Sequence, residues 1–139
     1  MQVVERARVD RSPAAVWAVL ADFGAINRWA DNVVHSNLVT EQRDGIGAVR
    51  RVQVGRNALL ERIVVWEPGV RVGYDIEGLP IVRRVTNTWH LEEAGATTQL
   101  SLTSHVDTVP IVRRIIGQVL AMESRKLLAG LKAHVEANP

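Results

Sequence analysis

The sequence predicts an α+β fold, and three observations lead to this class. Most of the chain consists of short segments in which apolar and polar residues alternate, separated by clusters such as RDGIG, EPG and EAGA. Such a pattern is typical of antiparallel strands joined by turns. A helix start, Ser12-Pro13, follows the first segment, and apolar residues recur at helical spacing over about the last 25 residues. A sheet that covers one long helix accommodates all three observations.

The first elements are a strand and two short helices. Residues 2–9 are the predicted strand. Ser12 is the expected N-cap of the first helix, and Pro13 takes the first helical position, where its missing N–H costs nothing. This helix should continue through AAVWAVLADF and end at Gly24, and AINRWA should form the second short helix.

The remaining elements are six strands and the long helix. Pro110 is expected to open this helix, which runs to the C-terminus. The connections between strands are short, which favours antiparallel neighbours. No linker interrupts the pattern, so residues 1–139 are expected to form a single domain. The six strands are predicted at 33–39, 47–54, 59–66, 70–77, 82–92 and 97–107.

Composition narrows the classes of function. Hydrophobic residues make up 47% of 139 residues and are spread along the chain, which argues against disorder. A net charge of +2 is too small to indicate nucleic-acid binding. Without cysteine there is no disulfide, thiolate metal site or cysteine nucleophile. No apolar run reaches the roughly 20 residues of a transmembrane segment, and the first residues are charged where a signal peptide is apolar. We therefore expect a cytoplasmic protein.

Four stretches of the chain resemble the START-like superfamily, also called SRPBCC, and its polyketide cyclase/dehydrase-like branch. They are SPAAVWAVLADFGAINRW, GIGAVRRV, LLERIVVWEPGVRVGYDI and LLAGLKAHVE. The resemblance covers the whole chain. It implies a helix-grip fold, in which a seven-stranded curved antiparallel sheet wraps around a long C-terminal helix, with two short helices after strand 1 and a cavity between sheet and helix. It selects no chemistry, because lipid carriers, hormone receptors, cyclases and plant allergens share this architecture.

Strand alternation assigns the side chains that face this cavity. The strands at 47–54 and 59–66 show no clear alternation, so the orientations of Arg51 and Glu61 stay open. The inward sets are Val70, Val72, Tyr74 and Ile76; Val85, Asn87, Trp89 and Leu91; Leu100, Leu102, Ser104 and Val106; and, on the helix, Ile116, Leu120, Ser124, Leu127 and Leu131.

Polar residues among these apolar neighbours are candidates for ligand contacts. Asn87 either bonds to a neighbouring protein group or a water molecule, or orients a ligand together with Tyr74. Trp89 is an expected cavity wall, and Trp29 is either a lid residue or part of the core. The candidate ligand-binding residues are Trp29, Tyr74, Asn87, Trp89, Ser104, Leu120 and Ser124.

The segment IVRR occurs twice, at 81–84 and at 111–114. The first copy opens a strand and the second opens the long helix. Antiparallel parity places both copies, and the turn that contains Arg56, at one end of the sheet. This basic rim is either a solvated edge or attracts an anionic head group, an acidic partner or a phospholipid surface. Its members are Arg56, Arg83, Arg84, Arg113 and Arg114, and the acidic residues expected at the opposite end are Glu41, Asp44, Glu67, Glu92 and Glu93.

No catalytic constellation is visible in the sequence. SHVD (104–107) places Ser104 and His105 on opposite faces of a strand, so the two cannot share a proton. DGIGAV leads into a strand and not into a helix N-terminus, which argues against a phosphate-binding loop. No metal site and no cofactor are expected.

Three functions remain open at this stage. The preferred one is binding of a small hydrophobic or amphipathic molecule, such as a lipid, a quinone or a polyketide-like compound. An enzyme of the cyclase/dehydrase kind would use the same cavity, but the assigned inward faces offer only Asn, Ser and Tyr for proton transfer. The third is a partner-binding protein with a collapsed cavity. A homodimer also stays open.

Overall fold

A curved sheet of seven antiparallel strands wraps around the C-terminal helix in the computed structural model, which describes residues 1–138. The order of the strands across the sheet is β1-β7-β6-β5-β4-β3-β2. The strands are β1 (Gln2–Val9), β2 (Val33–Leu38), β3 (Val49–Val54), β4 (Asn57–Glu67), β5 (Arg71–Glu77), β6 (Val82–Ala94) and β7 (Thr97–Thr108). The helices are α1 (Pro13–Ala21), a 3-10 helix (Phe23–Arg28), a 3-10 turn (Pro110–Val112) and α2 (Arg113–Ala137). The predicted α+β helix-grip fold is confirmed.

The ends of the helices differ from the prediction. Ser12 caps α1 as expected, since its hydroxyl accepts a hydrogen bond from the amide of Ala15 at 3.3 Å. The helix ends at Ala21, however, and Gly24 lies inside the following 3-10 helix. A 3-10 turn that contains Pro110 precedes α2, which begins at Arg113.

The inward faces predicted for β6 and β7 are confirmed. Asn87, the most exposed of the eight residues assigned to them, is only 7% exposed. In β5 the prediction holds for Val72 and Tyr74, which are buried, and Ile76 is half-buried. Val70 is the exception, because it precedes the strand, belongs to the turn after Glu67 and is 40% exposed.

Only the C-terminal half of α2 is buried against the sheet. Its buried residues are Ser124, Leu128, Leu131 and Val135, while Leu120 and Ile116 are half-buried. The first three turns of α2 therefore cover the sheet loosely. None of the helices within residues 1–138 combines the length and apolar character needed to cross a membrane.

Gly130 permits a close approach between α2 and the segment that follows the 3-10 helix. A Cβ atom at this position would overlap the carbonyl oxygen of Trp29. Because that oxygen belongs to the backbone, it cannot move without shifting the segment that carries Trp29 and Ala30. Both of these residues are buried in the core.

We expect Gly130→Ala to lower the free energy of unfolding by about 1–3 kcal/mol, because the added methyl group overpacks this contact. Gly117→Ala is the matched control on the same helix. Its Cβ atom would meet only the side chain of Met1, at 3.5 Å or more, so the better helix propensity of alanine should stabilise the protein by about 0.5–1 kcal/mol. Urea denaturation of both variants measures the difference. Equal effects at the two glycines would contradict the proposed contact.

Candidate functional site

A buried polar cluster of five side chains lies on the concave face of the sheet. It contains an ion pair between neighbouring strands and a row of hydrogen-bonding residues beside it. Such a group is unusual in a core, because polar side chains lose their hydration when they are buried. Its members are Arg50, Glu61, Tyr74, Asn87 and Ser104, none of them more than 7% exposed.

The ion pair joins Arg50 of β3 to Glu61 of β4, which are opposite each other in the register of the two strands. The Nε atom of Arg50 donates to Oε1 of Glu61 at 2.7 Å, and its Nη1 atom donates to the carbonyl oxygen of Phe23 at 3.0 Å. The guanidinium carbon lies 3.8 Å from the ring centroid of Phe23 and 4.6 Å from that of Tyr74. Hydrogen bonds and cation–π contacts thus hold the guanidinium in one position.

Tyr74, Asn87 and Ser104 form one row across β5, β6 and β7. The hydroxyl of Ser104 donates to Oδ1 of Asn87 at 2.6 Å. The indole N–H of Trp89 donates to the hydroxyl oxygen of Tyr74 at 3.2 Å. Asn87 therefore hydrogen-bonds to a neighbouring side chain, which is the first of the two alternatives that the sequence left open for this residue.

Burial raises the pKa of Tyr74 above its ordinary value of 10.0, and the negative charge of Glu61 adds to this effect. The positive charge of Arg50 and hydrogen bonds from Trp89 and Asn87 act in the opposite direction but are smaller. The phenol consequently keeps its proton at neutral pH. Tyr74 is thus available as a hydrogen-bond donor and not as a base.

Six of the seven predicted ligand-binding residues are buried in the structure. Trp29 is 5% exposed and contacts the ring of Trp89 edge to face, with the ring centroids 5.8 Å apart. It therefore packs in the core, and a role for Trp29 as a lid residue stays a prediction. Ser124 is buried and Leu120 is half-buried on α2. Their assignment to a ligand stays a prediction.

Two grooves flank α2 on its outer sides. One of about 780 Å³ lies between the C-terminal half of the helix and residues 28–32, and one of about 700 Å³ lies between the N-terminal half and the start of β1. Trp29 is the only predicted ligand-binding residue that lines either of them. The five residues of the buried polar cluster line neither groove.

Sequence reasoning missed Arg50 and left Glu61 unassigned, although a signal for both was present. Gly55 and Arg56 form a two-residue turn between β3 and β4, so that Val54 pairs with Asn57. Counting back along both strands from this turn brings Arg50 opposite Glu61. Two opposite charges at a directly paired position predict a cross-strand ion pair. Arg51, named beforehand as a candidate inward residue, is exposed on the other face.

Both IVRR segments begin at one end of the sheet, as antiparallel parity predicts. Val82 pairs with Thr108 and Arg84 pairs with Asp107, so the start of β6 lies beside the end of β7 and the approach to α2. Arg56 lies at the same end, in the turn between β3 and β4. A binding role for this basic rim stays a prediction.

The separation of charge along the sheet is less complete than the sequence suggested. The Nη2 atom of Arg84 lies 2.9 Å from a carboxylate oxygen of Asp75, so this arginine is partly neutralised. Glu77 and Asp107 also lie at the ends of strands on this side of the molecule. Arg83, Arg113 and Arg114 form no ion pair within residues 1–138.

Comparison with known proteins identifies the family. Residues 1–136 match the family model described as polyketide cyclase / dehydrase and lipid transport. The chain belongs to this family. A comparison with curated proteins finds no match.

Solved structures with the same fold include an aromatase/cyclase and a START superfamily protein. The Zhui aromatase/cyclase from Streptomyces is 22% identical, with 98% of this chain and 93% of that chain covered and a TM-score of 0.84. A START superfamily protein from Mycobacterium smegmatis is 13% identical, with 99% of both chains covered and a TM-score of 0.85. Membership in the family supports a ligand-binding or a cyclase role, and the structural likeness shows the fold.

The stability of the protein should depend on Tyr74 at high pH. Below pH 10 the folded and unfolded states both hold the phenol proton. Above it the unfolded state loses the proton first, so the free energy of unfolding should fall as pH rises through the raised folded pKa. Tyr74 is the only tyrosine, so phenolate absorbance of the native protein reports it alone. Tyr74→Phe should remove this part of the pH dependence, and an ordinary titration would contradict the proposed burial effect.

We expect that substitutions of Arg50 and Glu61 change the free energy of unfolding non-additively. Arg50→Met or Glu61→Leu alone should lower the free energy of unfolding by about 3–5 kcal/mol, because each leaves the other charge buried and unpaired. The double variant should be close to the wild type or more stable, because apolar side chains of similar volume replace both charges. Urea denaturation of the four proteins measures the coupling. Additive losses would show that the two side chains act independently.

Proposed function

We propose that this protein binds a small hydrophobic or amphipathic molecule between the concave face of the sheet and α2. The observation that carries this proposal is the buried ion pair of Arg50 and Glu61 in contact with Tyr74. The pair lies on the concave face of the sheet, where Phe23 of the 3-10 helix contacts Arg50. The family also includes proteins named for lipid transport and for cyclisation, which supports a ligand at this place.

A contribution to the stability of the fold does not by itself explain why this ion pair is buried. Apolar residues of similar volume are often equal to a buried pair, or better by about 1–4 kcal/mol. Arg50 lies against the aromatic rings of Phe23 and Tyr74. An apolar side chain could fill this space without burying a charge. We infer that the guanidinium serves a ligand oxygen.

Entry of a ligand would use the loosely packed N-terminal half of α2. All the buried residues of this helix lie at Ser124 or beyond it. Local opening is easiest where few apolar contacts are lost, so the first three turns of α2 would move first. The side chains of Ile116 and Leu120 would then leave the space over the sheet to the ligand.

The aromatic rings and the guanidinium of Arg50 indicate which class of ligand the site would bind. The rings of Phe23, Tyr74, Trp29 and Trp89 offer an apolar wall, which suits an aromatic or aliphatic body. Arg50 offers donors to a carboxylate, phenolate or keto oxygen. A polyketide-like compound, a quinone or a lipid with an oxygen-rich end fits this combination.

A cyclase-type enzyme is the second candidate, and the proximity of Glu61 to Tyr74 favours it. Buried carboxyl and phenol groups that face a substrate are candidates for acid–base work, and Glu61 and Tyr74 are both buried. In this reading Glu61 would accept a proton from the carbon next to a ligand carbonyl. Arg50 and the neutral Tyr74 would then stabilise the enolate oxygen.

The double variant Arg50→Met/Glu61→Leu tests the proposed site without unfolding it. The probes are laurate, which has a carboxylate, and dodecanol, which has the same chain length without the charge. We expect laurate affinity to fall by at least about tenfold in the double variant, because the guanidinium partner is lost, while dodecanol affinity changes little. Titration calorimetry measures both, and Arg51→Met, on the exposed face of the same strand, is the control.

Two results would contradict the proposal. Unchanged laurate affinity in the double variant would place the binding site away from Arg50. Failure of the wild type to bind either probe, together with a loss of about 1–3 kcal/mol in Ser104→Phe through overpacking, would favour the alternative of a partner-binding protein with a collapsed cavity.

A further inference from the structure

Exposed apolar side chains lie among the arginines where the two IVRR segments begin. Ile81 is 66% exposed, Ile111 is 90% exposed and Ile115 is 63% exposed. The hydroxyl of Thr108 donates to the carbonyl oxygen of Ile81 at 3.2 Å, which ties the loop before β6 to the approach to α2. The two isoleucine-bearing segments therefore belong to one surface.

The conformation of Ile81 has no explanation in the packing of the core. Its φ angle is 74°, in the left-handed region that is costly for a β-branched residue. Its side chain is nevertheless exposed, so burial does not offset the cost. A glycine or asparagine would satisfy the turn at lower cost, which points to a use for an apolar side chain at this position.

The apolar surface continues along α2. Ile111, Ile115, Val119 and Met122 follow one another at helical spacing, on the side opposite to the buried Leu131. Val119 is 45% exposed and Met122 is 47% exposed. No neighbouring element within the described chain covers this side of the helix.

Positive charge borders the apolar side chains. Arg113 and Arg114 occupy the first turn of α2, where cations oppose the helix dipole. With Arg83 they have no ion-pair partner among the described residues. The carboxylates of Glu77 and Asp107 lie at the ends of the neighbouring strands and reduce the positive field without cancelling it.

We propose that this surface docks on an anionic phospholipid bilayer. The docking surface consists of Ile81, Ile111, Ile115, Arg83, Arg113 and Arg114. Apolar side chains that project beside arginines match the boundary between acyl chains and phosphate groups. A second copy of the chain is a poorer occupant, because a symmetric contact through the same surface would bring the arginines of both copies together.

This proposal does not depend on a ligand in the helix grip. The docking surface lies at the N-terminal end of α2 and on the loop before β6, whereas the buried polar cluster lies on the concave face of the sheet. Vesicle binding without any added small molecule therefore tests the docking surface alone.

The experiment compares two triple variants of equal chemistry by co-sedimentation with vesicles of phosphatidylcholine, with and without phosphatidylglycerol. The first is Ile111→Ser/Arg113→Gln/Arg114→Gln. The control is Ile46→Ser/Arg43→Gln/Arg62→Gln, which removes an isoleucine that is 65% exposed and two exposed arginines elsewhere. All six positions are exposed, so both variants should fold.

We expect the wild type and the control to bind the anionic vesicles and to bind pure phosphatidylcholine weakly. In the first variant binding should fall by about fivefold for each arginine removed and further through the loss of Ile111. Raising the salt concentration should weaken the binding of the wild type, because the Debye length falls from about 30 Å at 0.01 M to about 8 Å at 0.15 M.

Equal binding by both triple variants would overturn the proposal, as would equal binding to charged and neutral vesicles. A further outcome would also overturn it. If the wild type is a dimer by sedimentation equilibrium, binds no vesicles and becomes a monomer in the first variant only, a second copy of the chain occupies this surface.

Discussion

The concave face of the sheet must be covered, and α2 covers it beside β1 and β7, while α1 and the 3-10 helix cover it elsewhere. The contact at Gly130, where the backbone of α2 meets the backbone at Trp29, fixes how deeply the C-terminal half of the helix sits. Trp29 then reaches Trp89 on β6, and the aromatic core forms around them. This contact has no room for a methyl group, so a side chain at position 130 would push the C-terminal half of α2 away from Trp29.

The two halves of α2 are buried to different extents. Leu128, Leu131 and Val135 anchor its second half, whereas the first half presents no buried residue to the sheet. The buried polar cluster lies on the concave face of the sheet, and the exposed isoleucines lie at the N-terminal end of α2 and on the loop before β6. The first three turns of α2 thus border the proposed docking surface, and they are also the segment that would move first in the proposed entry of a ligand.

Polar burial is concentrated in two rows of the sheet. Arg50 and Glu61 neutralise each other across β3 and β4, and Asn87 and Ser104 satisfy each other across β6 and β7. Tyr74 lies between these pairs and keeps its proton because burial and Glu61 both disfavour the phenolate. A neutral donor beside a fixed guanidinium is suited to bind an oxygen atom.

The sequence by itself determined the α+β class, the order of the strands along the chain and the inward faces of β6 and β7. These follow from local patterns, since alternation and turn residues report on neighbouring positions. Only the tertiary structure decided that Glu61 faces inward with Arg50, because β3 and β4 carry polar residues on a buried face and their alternation is lost. The burial of Trp29 was likewise decided by how far α2 sits over the sheet. That depth results from a contact between Gly130 and Trp29, which are about 100 residues apart in the sequence, and no local pattern encodes a contact at that separation.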